Sequence, residues 1–304
     1  MRLVTFVPKR GAMPRVGLVR DAREVIDLAA AGKPPFDPRD MISLIAAGPK
    51  ALAWLRKAAA KTKKALPLGK VKLLAPIPRP RKNVFCVGWN YVEHFEESRM
   101  SRLHTVEFPA HPTFFSKVPT AVIGPYDTVP LHAEVTRQLD WEVELGVVIG
   151  KRGINVKEAG ALKHVFGYTV VNDISAREVQ RRHGGQLFKG KSLDGTCPMG
   201  PWIVTADEVP DPHALRLTSR VNGVTKQDSN TRHMYFKIPR LIAELSAGTT
   251  LEPGDILSTG TPAGVGHART PPEFMKAGDV LETEVEGLGL LRNVIGKPAT
   301  ERGL

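Results

Sequence analysis

Cysteine is the rarest residue in this sequence. Only Cys86 and Cys197 occur among 304 residues, which argues against a disulfide framework, and their spacing matches no zinc-binding pattern. We expect both thiols to be small buried hydrophobes. A catalytic thiol is the alternative. So few cysteines suit a reducing compartment, and we therefore expect a cytoplasmic protein.

Long apolar runs are also missing. The first residues, 1–8, are strand-like and lack the apolar core of a secretory signal, and no run is long enough to cross a bilayer. We therefore predict neither a signal peptide nor a membrane span. With 42% hydrophobic and 24% charged residues, the composition is typical of a globular protein. The length of 304 residues predicts one large domain with a smaller one attached.

Acidic residues are absent from the window 50–82, which carries 11 lysines and arginines. Outside it basic and acidic residues nearly balance, so nearly all of the net charge of +12 comes from this window. One interpretation is a surface that binds nucleic acid or an anionic membrane. Without a pattern of interleaved aromatic residues for base stacking, the window favours a solvated helix face and a hinge. We expect no nucleic-acid or membrane partner, and a positive field that steers small anions.

Proline and glycine divide the chain into a small and a large part. Residues 1–75 predict a small N-terminal α+β domain, and residues 76–82 a stiff proline-rich linker. Residues 83–304 contain many short apolar runs separated by glycine and proline, which indicates a β-rich domain. The sequence therefore predicts an α+β fold in which sheet dominates.

Helices are predicted at only a few places. Asp37 and Pro38 resemble an N-cap followed by a first-turn proline, with the helix ending near Gly48 and Pro49 opening the next. Further helices are predicted over Val156–His164, Ser175–Arg182 and Pro239–Ala247.

Three carboxylates form a candidate metal site. Glu142 and Glu144 are two residues apart in a strand-like segment, so their side chains point to the same face. Asp173 ends another apolar run just before a predicted helix. Carboxylates without cysteine or clustered histidine favour a hard cation, Mg²⁺ or Mn²⁺ or Ca²⁺, over zinc. The alternative for Glu142 and Glu144 is an exposed strand face.

His94 and Glu97 are a candidate base and its orienting acid. If Asn90 caps a short helix, residues three apart share a face and the carboxylate can fix the imidazole tautomer. Histidine is the natural general base near neutral pH. The alternative is an incidental ion pair on a surface helix.

Two glycine-containing segments add further candidates. Lys191 lies in a predicted loop, Phe188–Gly195, where it can stabilise a developing oxyanion or remain a solvated charge. Thr259–Gly266 is a glycine-rich turn whose hydroxyls and N–H groups can hold a carboxylate. It matches neither a Walker loop nor a dinucleotide-binding fingerprint, and it can equally be a tight structural turn.

Taken in order, these segments resemble the fumarylacetoacetate hydrolase superfamily over roughly residues 76–296. Each segment alone is weak evidence, but five of them in the family's order are specific. They are Gly88-Trp89-Asn90-Tyr91-x-x-His94-x-x-Glu97, Glu142-x-Glu144, Asn172-Asp173-x-Ser175-Ala176-Arg177, Gly190-Lys191-Ser192-Leu193-Asp194-Gly195 and Thr259-Gly260-Thr261-Pro262-x-Gly264-Val265-Gly266.

The resemblance implies a fold, a ligand set and a partner. The catalytic domain would be a mixed β-roll, usually dimeric, so a homodimer is expected. Its divalent metal would be held by Glu142, Glu144 and Asp173. The pair His94 and Glu97 would lie on a lid over the substrate, with Lys191 as a third catalytic group. The implied substrate-binding positions are Arg177, Gln180, Gln186, Gly260 and Thr261.

Our first hypothesis is metal-dependent hydrolysis of a carbon–carbon bond in a 2,4-dioxo acid, of the acylpyruvate or fumarylpyruvate type. In this hypothesis His94, oriented by Glu97, activates the water. The same metal site suits isomerisation, decarboxylation or hydration of 2-oxo acid intermediates of aromatic catabolism, so these reactions remain alternatives. The non-enzyme alternative is anionic-surface or nucleic-acid binding through residues 50–82, which predicts steep salt dependence.

Overall fold

The computed structural model describes residues 1–98 and 107–296. Short strands with few helices make up this part of the chain. The α-helices are Met41–Ala46 (α1), Gly48–Lys61 (α2), Val92–Glu97 (α3), Arg177–Arg182 (α4), Leu187–Lys191 (α5) and Ile238–Ser246 (α6). Short 3₁₀ helices cover Leu68–Lys70, Pro119–Ala121, Glu158–His164, Ala206–Glu208, Thr231–His233 and Gly266–Ala268.

The strands number nineteen in the described residues. Those of the N-terminal part are Arg2–Val7 (β1), Arg15–Arg20 (β2), Glu24–Asp27 (β3), Leu66–Pro67 (β4) and Lys72–Leu73 (β5). The others are Val84–Gly88 (β6), Thr113–Lys117 (β7), Val122–Ile123 (β8), Val129–Pro130 (β9), Leu139–Asp140 (β10), Val143–Ile149 (β11), Val165–Asn172 (β12), Ser175–Ala176 (β13), Cys197–Thr205 (β14), Arg216–Val221 (β15), Val224–Asn230 (β16), Ile256–Ser258 (β17), Val280–Val285 (β18) and Gly289–Gly296 (β19).

A twelve-stranded mixed sheet organises the molecule. Its main path runs β4-β3-β2-β1-β14-β12-β11-β17-β6-β7, with β5 beside β1 and β8 beside β14. A five-stranded sheet, β16-β15-β18-β19-β9, and the pair β10-β13 complete the β structure. Strand pairs are mostly antiparallel, but β6 runs parallel to β17. The predicted α+β class with dominant sheet is confirmed.

The N-terminal strands continue the large sheet. Strand β1 pairs with β14 through Arg2↔Val204 and Leu3↔Ile203. One hydrophobic cluster also contains Leu3 together with Val171 of β12. Residues of the proline-rich segment pack against this core, since Ile77 is buried and the Thr5 hydroxyl donates to the carbonyl of Pro76 at 2.6 Å. Residues 297–304 of the predicted catalytic range lie outside the described part.

Several helix predictions need correction. The first helix begins at Met41, because the carboxylate of Asp40, not of Asp37, accepts the Ile42 N–H at 2.9 Å. Asp37 instead accepts the N–H of Arg39 in the preceding turn. The segment predicted to begin at Val156 is a 3₁₀ helix from Glu158. The first difference arises because a carboxylate can cap any turn that places an N–H two residues ahead, as both Asp37 and Asp40 do.

Both cysteines are free and fully buried, as expected for small hydrophobes. Burial raises the pKa of Cys86 well above its usual value and that of Cys197 to about 12. Neither thiol is therefore a ready nucleophile near neutral pH. No helix among the described residues is both long enough and apolar enough to span a membrane.

Candidate active site

Strand pairing brings the three predicted carboxylates together. Glu142 directly precedes β11, Glu144 lies within it, and β12 pairs beside them with Asp173 just past its end. The N–H of Asp173 donates to the carbonyl of Glu142 at 2.9 Å. This hydrogen bond holds the start of β11 against the end of β12. One carboxylate oxygen from each acid lies within 4.8 Å of the others, and all three side chains are buried.

The electrostatics of this triad are unequal. Burial, together with Asp173 and Glu142, raises the pKa of Glu144 well above its usual value. Burial would also raise the pKa of Glu142, but Lys191 and Arg177 outweigh it and hold that pKa far below the usual value. Like charges this close cannot all ionise without compensation. An all-oxygen set of buried carboxylates fits a hard divalent cation, which would let all three ionise.

Two buried lysines bracket Asp173. Lys191 donates to Glu142 Oε2 at 2.6 Å and to Asp173 Oδ2 at 2.8 Å. Lys117, fully buried at the end of β7, lies 2.8 Å from Asp173 Oδ1 and donates to the carbonyl of Ile174 at 3.0 Å. The loop predicted over Phe188–Gly195 holds only for residues 192–195, since Phe188–Lys191 belong to α5. The solvated alternative for Lys191 was wrong, because its side chain is buried. No sequence pattern pointed to Lys117, which is the last residue of an ordinary aromatic strand.

The predicted base and acid lie on α3. His94 Nδ1 is 2.7 Å from Glu97 Oε1, and His94 is only 5% exposed. Glu97 Oε2 accepts the N–H of Gly264 at 2.8 Å, so the helix is tied to the glycine-rich segment. An ionised Glu97 places the imidazole proton on Nδ1 and leaves the Nε2 lone pair free.

Asn90 does not cap this helix. The N-cap residue of α3 is Tyr91, which makes no side-chain cap bond. The amide of Asn90 instead donates to the carbonyls of Phe236 and Thr259 and accepts the N–H of Phe236, at 2.8–3.0 Å. Asn90 thereby joins β6, the start of α3 and the glycine-rich segment. A fully buried amide needs hydrogen-bond partners, and Asn90 finds its partners on the segments that contain Phe236 and Thr259.

The glycine-rich segment holds carboxylates of the protein itself. Glu144 Oε2 accepts the Ser258 hydroxyl at 2.6 Å and the Gly260 N–H at 2.8 Å. The hydroxyl of Thr261 donates to the carbonyl of Val143 at 2.9 Å and accepts from Gln227 Nε2 at 2.7 Å. Gly260 therefore positions a candidate metal ligand, while Thr261 faces the cavity.

A narrow cavity of about 40 Å³ joins these groups. Arg177 and Gln180 of α4 line it beside Lys191, and Gln180 Nε2, buried, has no hydrogen-bond partner among the described residues. The remaining described residues that line it are Val87, Gly88, Trp89, His94, Phe115, Glu142, Glu144, Leu187 and Thr261. Gln186 is exposed, and neither it nor Gly260 is among the lining residues. Such a small cavity suits a small polar ligand.

Comparison with known proteins gives consistent matches. The model of the fumarylacetoacetate (FAA) hydrolase C-terminal family matches residues 83–296. An oxaloacetate tautomerase of Bacillus subtilis (strain 168) is 45% identical over 293 residues, covering 92% of this chain and 96% of the relative. A mitochondrial oxaloacetate tautomerase of Bos taurus is 45% identical over 297 residues, covering 97% and 91%.

A solved structure matches nearly the whole chain as well. Maleylpyruvate hydrolase from Sphingobium sp. SYK-6, in complex with manganese(II) ion and pyruvate, superposes with a TM-score of 0.78 at 32% identity. The match covers 98% of this chain and 100% of that one. The likeness therefore includes the N-terminal strands as well as the segment that holds the carboxylates.

Proposed function

We propose, since the chain belongs to the fumarylacetoacetate (FAA) hydrolase C-terminal family, that it is a divalent-metal-dependent tautomerase of small 2-oxo acids such as oxaloacetate. Family membership agrees with the resemblance found in the sequence. The observation that carries the proposal is the pair His94–Glu97 beside a cavity that Glu142 and Glu144 also line. The substrate class follows from relatives that are oxaloacetate tautomerases over nearly the whole chain.

The buried charges support an anionic substrate. Around the cavity the four buried carboxylates of Asp140, Glu142, Glu144 and Asp173 face three buried cations, Lys117, Lys191 and Arg177. A divalent cation held by Glu142, Glu144 and Asp173 would turn a deficit of one positive charge into a surplus of one. A surplus positive charge in a water-poor site favours a carboxylate ligand.

The chain's own residues can carry the proton in this reaction. His94 Nε2 can remove a proton from the carbon beside the oxo group and return one to the oxygen, so that no atom is gained or lost. The Lys191 ammonium can stabilise negative charge on that oxygen. Arg177 and the unpaired amide of Gln180 can hold the carboxylates. When bound, the cation supplies Lewis-acid polarisation of the oxo group, with Mg²⁺ or Mn²⁺ the expected ion.

Hydrolysis of a 2,4-dioxo acid is the second candidate, and one observation favours it specifically. The matched Sphingobium hydrolase was solved with manganese and pyruvate, the latter a 2-oxo acid. In such a reaction His94 would take its proton from water instead of from carbon. The two reactions therefore need the same base and differ in whether a carbon–carbon bond breaks.

The experiment follows both reactions on one metal-free preparation to which Mg²⁺ or Mn²⁺ is returned. Ketonisation of enol-oxaloacetate is measured by drawing off the keto form with malate dehydrogenase and NADH. Cleavage of an acylpyruvate is measured as pyruvate released. We expect metal-dependent ketonisation above the spontaneous rate, lost on chelation and in Glu142→Gln.

Variants of histidine test the base. His94→Asn should slow ketonisation by about 10²–10⁴-fold while leaving Mn²⁺ binding intact. His111→Asn is the matched control, since the His111 side chain is 73% exposed and lies against Glu244. Metal-dependent pyruvate release without ketonisation would replace the tautomerase proposal by the hydrolase. Full activity of His94→Asn would contradict the role of His94 in either reaction.

A further inference from the structure

Asp140 is a buried carboxylate next to the cavity that the proposed chemistry does not use. It ends β10, is fully buried, and is surrounded by hydrogen-bond donors. Its Oδ1 accepts the N–H groups of Trp141 at 2.8 Å and Gly266 at 2.7 Å. Its Oδ2 accepts Arg177 Nε at 2.8 Å and the N–H of His267 at 3.0 Å, with His267 Nδ1 at 3.2 Å.

The same carboxylate links two parts of the site. Arg177, held through its Nε, reaches from α4 toward the cavity, and its Nη2 lies 2.6 Å from Glu142 Oε1. Gly266 ends the glycine-rich segment, two residues beyond Gly264, whose N–H holds Glu97, and His267 follows directly. Asp140 therefore ties the guanidinium to the backbone that also positions the His94–Glu97 pair.

The contacts of Asp140 agree with this geometry. Arg177 is a permanent cation, and the other partners of Asp140 are backbone N–H donors and the His267 ring. An ionised carboxylate that accepts several bonds restricts its donors to one arrangement. A free arginine would instead lose considerable rotamer entropy on binding substrate.

We propose that Asp140 is a positioning residue that acts through Arg177: it fixes the guanidinium so that the Nη atoms are oriented in advance for a carboxylate of the 2-oxo acid. This inference rests on the proposed function, because it assumes that the cavity binds a 2-oxo acid beside a divalent cation. It adds a residue that does not itself line the cavity.

Asp140→Asn is the informative variant because it keeps the size and removes the charge. Both oxygens of Asp140 face donors, so the amide nitrogen of asparagine must oppose donors on one side. A charge-assisted hydrogen bond contributes about 1.5–3 kcal/mol, so its loss corresponds to roughly 10- to 100-fold weaker ligand binding. The metal ligands are unchanged, so Mg²⁺ alone should bind within about threefold of wild type.

The experiment measures oxalate binding by calorimetry to the full chain saturated with Mg²⁺, oxalate standing for a planar 2-oxo acid. Wild type, Asp140→Asn, Arg177→Met and the double variant form a double-mutant cycle. We expect Asp140→Asn to weaken oxalate about 10- to 100-fold in the wild-type background, with no further loss in the Arg177→Met background. Purely structural damage would give additive losses instead. Asp255→Asn is the control, since buried Asp255 holds Lys82 at 2.8 Å and does not line the cavity.

Each other outcome overturns a defined statement. Equal oxalate binding by wild type and Asp140→Asn, or additive losses in the double variant, refutes positioning through Arg177. Failure of the Mg²⁺-loaded wild type to bind oxalate refutes the 2-oxo acid site, and the positioning role with it. If Asp140→Asn does not fold, His267→Ala replaces it, since this variant removes the ring contact to Asp140 and leaves all three backbone donors. A severalfold loss of oxalate affinity in His267→Ala that occurs only when Arg177 is present supports the positioning role. Unchanged affinity contradicts it.

Discussion

At the residue scale, the site depends on buried charges that are paired with one another. Lys117 is fully buried against Asp173, and Lys191 takes the other oxygen of the same carboxylate. Burial would lower the pKa of Lys191, but Asp173 and Glu142 outweigh it and raise that pKa, so its ammonium remains charged. Removing one member of such a set leaves an uncompensated charge in a poorly solvated place.

Lys117→Met should therefore destabilise the protein strongly. We expect the free energy of unfolding, measured by urea denaturation without metal, to fall by about 3 kcal/mol. Lys72→Met is the matched control, because Lys72 pairs with Asp127 at 3.0 Å while its side chain is 63% exposed. An exposed pair contributes about 0–1 kcal/mol. Equal small losses in the two variants would show that the Lys117 ion pair contributes little.

At the element scale, the turn that follows β17 is where backbone and carboxylates meet. Gly260 has φ +95°, and a Cβ there would lie 2.7 Å from the Cβ of Asn90 and 3.0 Å from the carbonyl oxygen of Val87. Its N–H holds Glu144, a candidate metal ligand. The glycine is needed for both its backbone conformation and the close approach of Asn90.

Gly260→Ala should cost both stability and metal affinity. We expect about 2–4 kcal/mol in the free energy of unfolding, from positive φ and from overpacking. Gly278→Ala has nearly the same φ, +91°, with nothing within 4 Å of its Cβ. This control should lose about 1 kcal/mol and keep its Mn²⁺ affinity. If the two variants lose equal stability, the close approach to Asn90 is not important.

The beginning of α6 gives a pH dependence. His213 Nε2 accepts the N–H of Ile238 at 3.1 Å, which requires a neutral ring. Burial, and then Lys237, lowers the pKa of His213 below 6.5, against the opposing effect of Asp211. Below about pH 6.5 the unfolded chain therefore binds more protons at this position, so stability falls as the pH decreases.

As the pH falls from 7.5 to 5.5, we expect the melting temperature of wild type to decrease relative to that of His213→Gln. The reason is that a glutamine oxygen can still accept the Ile238 N–H without titrating. His164→Gln serves as control, since His164 Nδ1 lies 3.0 Å from the carbonyl of Lys151 rather than against a donor. An unchanged pH dependence in His213→Gln would exclude this histidine as the cause.

At the scale of the whole molecule, the N-terminal strands share one sheet with strands of residues 83–296, the segment that matches the family. Strand β1 pairs with β14, and Leu3 and Leu18 lie in the same hydrophobic cluster as Ile203 and Ile256. Separating the two parts would expose a strand edge and this cluster together. The N-terminal part therefore has little basis for independent stability.

We expect a single cooperative unfolding transition. Trp54 lies in α2, whereas Trp89, Trp141 and Trp202 lie in the family-matched segment 83–296, so fluorescence reports on both parts. Two variants are compared, one with Trp54 as its only tryptophan and the other Trp54→Phe. In each variant, the urea midpoint measured by tryptophan fluorescence should equal the midpoint measured by far-ultraviolet circular dichroism. Two separate midpoints within one variant would show independent domains.

The sequence by itself determined the chemistry of the site. Alternation in Glu142-x-Glu144, the i, i+3 spacing of His94 and Glu97, and the acid that follows β12 are local patterns. Local geometry decides which way such side chains point. The predominance of short strands followed likewise from the spacing of glycine and proline.

Only the tertiary structure decided which charges compensate these residues. Lys117 from β7, Asp140 from β10 and the Gly264 and Gly266 N–H groups reach the site across long stretches of chain. It also made Asn90 a bridge between segments instead of a helix cap, and Lys191 a buried helical residue instead of a loop charge. The amino-acid sequence specifies which groups can ionise or donate a hydrogen bond. Which group each one meets depends on strand pairing and burial, which bring distant segments within hydrogen-bonding distance.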